Sequence, residues 1–129
     1  MNKGNRFKKK GIQWENDLAN KLREIGFPLV IRSAGSKGLA DVVAMGWNDV
    51  YLFQCKSTEK TVITNELVQT VMKNKSVKDL TNLPSRYIKI LAFKAEGKKD
   101  IVFYRWTLTI TDGSGQSYGE WKYIANKLF

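Results

Sequence analysis

The residue types best suited to chemistry in this chain lie between Arg32 and Lys56. Asp41 opens an apolar run, Asp41-Val-Val-Ala-Met45, and a second run from Val50 to Phe53 leads into Gln54-Cys-Lys56. Gly46-Trp-Asn-Asp49 between the runs reads as a turn, so the two β-prone segments form a hairpin. Strand side chains alternate between faces, which puts Gln54 and Lys56 on one face and Cys55 on the other. A bend next to the hairpin then brings Asp41 beside that pair. The result is a cluster of oxygens suited to a hard cation, with an ammonium alongside.

Such a cluster is equipped for phosphodiester hydrolysis. Mg²⁺ takes oxygen ligands, keeps several waters and needs only one or two protein carboxylates plus substrate phosphate. A bound metal lowers the pKa of its water and offsets charge building on phosphate oxygens. A neighbouring lysine can orient the attacking water or hold the charged transition state. Strands also end in polar residues by chance, so these residues leave a purely structural reading open.

The elements that must position them follow from periodicity. Trp14, Leu18, Leu22 and Ile25 recur at helical spacing, which predicts a helix over 12–25 with Gly26 as its stop. Glu15 lies at the edge of that apolar stripe, where a carboxylate requires either a basic partner or a metal. A strand over 28–32 precedes a loop of small residues, 33–38. There Gly35 and Gly38 permit close approach of a phosphate, and Ser33, Ser36 and Lys37 can donate hydrogen bonds to it; a plain turn has the same composition. Beyond Lys56 a polar loop over 57–61 leads to a helix over 66–75, with Thr64 as its cap and Leu67, Val68, Val71 and Met72 on one side. Strands over 87–93 and 101–108 flank a hairpin loop, Glu96-Gly-Lys-Lys-Asp100. The aromatics Phe103, Tyr104 and Trp106 read as core or dimer surface. Ser117 and Glu120 have capping-box spacing for a last helix, with Trp121, Ile124, Ala125 and Leu128 as its stripe. The expected order is α-β-β-β-α-β-β-α, an α/β fold with a mixed central sheet flanked by helices.

Residues 11–62 resemble the archaeal-type Holliday junction resolvases, a branch of the PD-(D/E)XK nuclease superfamily. The resemblance rests on Gly11 and Glu15, on Gly26-Phe27, on Val30-Ile-Arg-Ser-Ala-Gly-Ser-Lys37, on Asp41-Val-Val-Ala44 and on Gln54-Cys-Lys56. It implies a restriction-endonuclease-like fold, a Mg²⁺-dependent endonuclease (Mn²⁺ able to substitute) acting on four-way DNA junctions, and a homodimer with two active sites. It also implies that Glu15, Asp41, Gln54 and Lys56 are catalytic. Asp41, Gln54, the Cys55 carbonyl and Glu15 would hold the metal, and Arg32 would hold phosphate. The family usually has Glu where this chain has Gln54. An amide oxygen can ligate a metal but brings no charge, so Glu15 gains importance as the second carboxylate.

Composition narrows the alternatives. The chain has 129 residues, enough for one domain, and a net charge of +10, which favours polyanions, DNA first. Lys3, Arg6, Lys8, Lys9 and Lys10 come without an acid and read as a basic mobile arm over 1–10 that contacts phosphate, ahead of a single nuclease domain over 11–129. Lys73, Lys75 and Lys78 form either a solvated face or a further DNA contact. There is no histidine, which excludes histidine-metal nucleases, His-Cys zinc sites and Ser-His triads, and the single cysteine excludes an internal disulfide. No apolar run approaches the ~20 residues of a membrane span, and no secretory signal is evident, so the expectation is a cytoplasmic protein. Two alternatives remain beside the junction nuclease: a nuclease of the same superfamily with another DNA target, and a non-catalytic protein that binds branched DNA.

Overall fold

The computed structural model describes residues 3–33, 40–58, 63–95, 101–110, 113 and 117–124; side chains are described from Gly11 onward, excluding 109, 110, 117 and 118. The elements are α1 (Lys3–Ile25), β1 (Leu29–Arg32), β2 (Val42–Met45), β3 (Val50–Thr58), α2 (Asn65–Met72), α3 (Lys75–Thr81), β4 (Ile88–Ala95), β5 (Ile101–Ile110) and β6 (Ser117–Tyr123). The strands form one mixed sheet in the order β1-β2-β3-β4-β5-β6. Only β3 and β4 are parallel, joined by the α2–α3 crossover, and every other neighbouring pair is antiparallel.

The first helix begins at Lys3, so the backbone of the basic segment expected as an arm continues α1 instead. Lysine and arginine have good helix propensity, and lengthening a formed helix costs little. Trp14, Leu18 and Leu22 are buried as the spacing predicts, and Ala19 is buried beside them. Ile25 is not: it is 48% exposed. It stands at the last turn, where Gly26 adopts φ +116° and the chain leaves the helix. Gly26 N–H donates to the Arg23 carbonyl at 3.1 Å and Phe27 N–H to the Leu22 carbonyl at 3.3 Å, the paired bonds of a glycine C-cap.

The α1 stripe packs with Val30, Val42, Ala44, Phe53, Ile90, Ala92 and Phe103 on one face of the sheet. The opposite face carries Leu52, Leu91 and Phe93 against α2 and α3, through Val68, Val77 and Leu80. β4 is therefore covered on both sides, which explains its nearly unbroken apolar run. Two lysines interrupt that run, Lys89 and Lys94, and the first is buried. Lys89 is only 2% exposed. Its ammonium donates to the carbonyls of Thr81, at 2.9 Å, and of Leu83, so it ties down the carboxyl end of α3. Burial pulls the Lys89 pKa down.

The hairpin turn is as expected, with Gly46 N–H donating to the Asp49 carbonyl at 2.8 Å. Thr64 caps α2 by accepting from Leu67 N–H at 3.2 Å. Three elements differ from expectation. β3 runs on to Thr58, past the point where the polar loop was expected. The helix expected over 66–75 ends at Met72 as α2, and a second helix that was not expected, α3, follows over Lys75–Thr81, with only Val77 and Leu80 buried. Where the last helix was expected to start, 117–123 is strand β6. Trp121 stands opposite Trp106, and Tyr123 opposite Tyr104. The indole centroids of Trp106 and Trp121 lie 5.3 Å apart. Aromatics at alternate positions favour a strand, Gly119 weakens a helix, and pairing with β5 outweighs the capping-box spacing of Ser117 and Glu120. Ala125 and Leu128 lie outside the described residues, as does the expected loop over 96–100.

Gly119 is required at its position in β6. A Cβ there would stand 1.9 Å from Cζ2 of Trp106. Gly119→Ala must displace the indole from Trp121, and a loss of about 1–2 kcal/mol is expected from such overpacking. Urea unfolding monitored by tryptophan fluorescence checks this; an unchanged midpoint would mean that the indole has room to move.

Candidate active site

Asp41 immediately precedes β2, and its backbone joins two neighbouring strands. Its N–H donates to the Phe53 carbonyl at 2.8 Å, and its carbonyl accepts from Ser33 N–H at 2.8 Å. That fixes the Cα and aims the side chain at β3, where Oδ2 accepts from the Cys55 N–H at 2.8 Å. The carboxylate is thereby held at the backbone between Gln54 and Lys56. The bend expected from the sequence is this turn of the chain into β2. Burial raises the Asp41 pKa, while the Cys55 N–H and the Lys56 ammonium act to lower it.

Glu15 reaches the same region from α1. Its carboxylate pairs with the Arg32 guanidinium at 3.1 Å. The basic partner that a flank carboxylate requires is thus an arginine at the end of β1. Burial raises the Glu15 pKa, the Asp41 charge raises it further, and Arg32 opposes both. The Cys55 thiol is pushed well up, first by burial and then by Asp41 and Glu15, with Lys56 in opposition. It is a neutral, unreactive thiol that packs against the α1-side core, as expected of a small hydrophobe. Glu15, Asp41 and Lys56 thus all act on one locus. Gln54 is 4% exposed, in the interior stretch of β3.

Lys56 also meets a residue that the sequence reading overlooked. Its Nζ lies 3.5 Å from Oγ of Ser76, in the first turn of α3. The spacing of Val77 and Leu80, three residues apart, was the signal available for that helix.

The Asp41 charge that raises the affinity of Glu15 for protons also attracts a cation. Among the described residues no three His, Cys, Asp or Glu side chains converge into a metal-binding group. The carboxylates at this locus are Asp41 and Glu15.

The phosphate contacts expected from the loop fall partly outside the described residues. Ser33 is half-buried with its N–H committed to Asp41, and Arg32 is engaged with Glu15. Ser36 and Lys37 lie outside the described residues, as do the side chains of Lys8, Lys9 and Lys10. Lys73, Lys75 and Lys78 are exposed, and Lys75 pairs with Asp79 at 2.9 Å. No described helix is long and apolar enough to cross a membrane.

A family profile described as archaeal Holliday junction resolvase (hjc) matches residues 6–112. Curated proteins give no significant match. Among solved structures, the chain is similar to Archaeoglobus fulgidus Hjc, a Holliday junction resolvase from an archaeal hyperthermophile, with a TM-score of 0.53 and 20% identity over 86% of this chain and 83% of that one. That likeness supports the mixed-sheet, restriction-endonuclease-like fold. The profile spans most of the chain, from within α1 past the end of β5, and includes every residue of the Asp41 locus. The chain belongs to the archaeal Holliday junction resolvase family, and is a structure-specific, junction-resolving nuclease.

Proposed function

We propose that the Asp41 locus is the catalytic centre of a Mg²⁺-dependent endonuclease that cuts four-way DNA junctions, with Mn²⁺ able to substitute. The observation that carries this reading is the 2.8 Å bond from Cys55 N–H to Asp41, which seats an acid at the strand holding Gln54 and Lys56. Asp41 and Glu15 supply the charge for the cation, and the Gln54 amide oxygen and the Cys55 carbonyl complete the protein's share of its ligands. The ion, when bound, supplies an acidified water and offsets charge on the phosphate. Lys56 orients the attacking water and steadies the phosphate oxygens as charge develops on them.

Arg32 and Glu15 neutralise each other across 3.1 Å. Were Glu15 to help hold the cation, Arg32 would be free to hold a substrate phosphate. Ser33, Ser36 and Lys37 contact neighbouring phosphates, and the basic amino-terminal segment with Lys8, Lys9 and Lys10 grips the duplex arms. Contacts of this kind recognise shape and not base sequence. A two-fold substrate suits a homodimer, for which Leu67 and Met72 on α2 offer apolar surface. Location in the cytoplasm agrees with this work on DNA.

The test presents purified protein with four-way junctions, flaps and linear duplex, in Mg²⁺ and in Mn²⁺. Preferential cutting of junctions is expected. Equal cutting of linear duplex sinks the junction assignment and leaves a nuclease of broader target. Tight junction binding with no cleavage in either metal would sink the assignment of catalysis to this locus.

A further inference from the structure

We infer that Ser76 is a positioning residue for Lys56, and that α3 serves as the fixed support from which it acts. This rests on the reading of Lys56 as the catalytic ammonium. Lysine carries its charge on a flexible four-carbon stem with three rotatable donors. An ammonium that must meet a developing phosphate charge gains from having one donor engaged and the others aimed.

Ser76 Oγ stands 3.5 Å from Lys56 Nζ, at the long end of hydrogen-bond reach. Catalytic contacts of this length in a free enzyme commonly tighten once substrate is bound. Three features hold the serine in place. Val77, its neighbour in the chain, is fully buried, and so is Leu80 one turn on. Buried Lys89 fastens the carboxyl end of α3 through the Thr81 and Leu83 carbonyls. The amino end is tied back by the Lys78 N–H donating to the Asn74 carbonyl at 3.0 Å, and by the Asn74 N–H donating to the Val71 carbonyl at 3.0 Å. A seven-residue helix anchored at both ends and along its buried side has little freedom to move the hydroxyl. Ser76 thus restrains the lysine from a separate element, across the parallel crossover.

The experiment compares single-turnover cleavage of a four-way junction by wild type, Ser76→Ala, Ser76→Thr and Lys56→Ala. Junction affinity and thermal unfolding are measured on the same samples. Ser76→Ala is expected to lower the cleavage rate about tenfold, the effect common for a group that orients a catalytic one. Junction affinity should stay within twofold and the unfolding midpoint within a degree or two. Ser76→Thr keeps the hydroxyl and should recover most of the rate. An unchanged rate in Ser76→Ala overturns the inference, as does a loss that tracks affinity or melting, or one that Thr does not repair. Lys56→Ala separates the two layers. If it cleaves like wild type, the lysine assignment itself is wrong. If it is inactive while Ser76→Ala is normal, only the role of Ser76 fails.

Discussion

Replacing Asp41 with Asn should cut the cleavage rate by at least about a thousandfold while leaving junction affinity within a few-fold of wild type. The same change should make the protein more stable at neutral pH. The reason lies in the half-buried position of the carboxylate, whose pKa is raised first of all by burial. A carboxyl with a higher pKa folded than unfolded binds more protons in the folded state between the two values. Its contribution to stability is therefore present at low pH and lost as pH rises through the folded pKa. At neutrality the ionised group is a cost that Asn does not carry. Asn still offers an oxygen to the Cys55 N–H, and it relieves Glu15 of a like charge. A gain is expected at pH 7, shrinking to nothing in acid, where the carboxyl is protonated folded and unfolded alike. Thermal unfolding of both proteins across that range, without divalent metal, measures it. A variant that cleaves normally would remove Asp41 from the chemistry, and one no more stable than wild type would mean that Asp41 is not electrostatically strained.

Gln54→Glu tests the one departure from the family pattern. A carboxylate at this position adds charge to the ligand set, and the Mg²⁺ concentration for half-maximal cleavage should fall by roughly one to two orders of magnitude. Without metal the variant should be less stable than wild type at neutral pH. Gln54 is almost wholly buried, and a carboxyl placed there would be desolvated. Its pKa would be raised, so the penalty would appear as pH rises through the folded value and vanish in acid. Adding Mg²⁺ should reverse the order of stabilities, because a ligand that binds only the folded state stabilises it by mass action. Metal titrations of cleavage and of melting, run on both proteins, give the two readouts. An unaltered metal requirement would place Gln54 outside the coordination sphere.

Much of this architecture was legible in local patterns. The α1 stripe, its glycine stop, the β2–β3 hairpin and the Thr64 cap depend on neighbours a few residues away, so spacing reveals them. β6 and α3 were misread for a shared reason. Ser117, Glu120, Trp121 and Ile124 satisfy a helical template taken alone, yet β5 offers Trp121 and Tyr123 a row of aromatic partners and unpaired backbone groups. α3 has two buried residues in a charged segment, and its stability comes from docking and from Lys89, neither of which leaves a periodic trace.

At the site, residue types and alternation along β3 already specified an acid, an amide and a lysine suited to an oxygen-loving cation, and the +10 charge already favoured a polyanionic substrate. Those facts are properties of the covalent chain. Tertiary structure alone decided that Asp41 binds the Cys55 N–H, that Glu15 is neutralised by Arg32 from another element, and that Ser76 meets Lys56. Each joins residues at least fourteen positions apart, and the strength of a charge–charge or hydrogen-bond contact depends on distance and burial in space. No local pattern in the chain encodes either quantity.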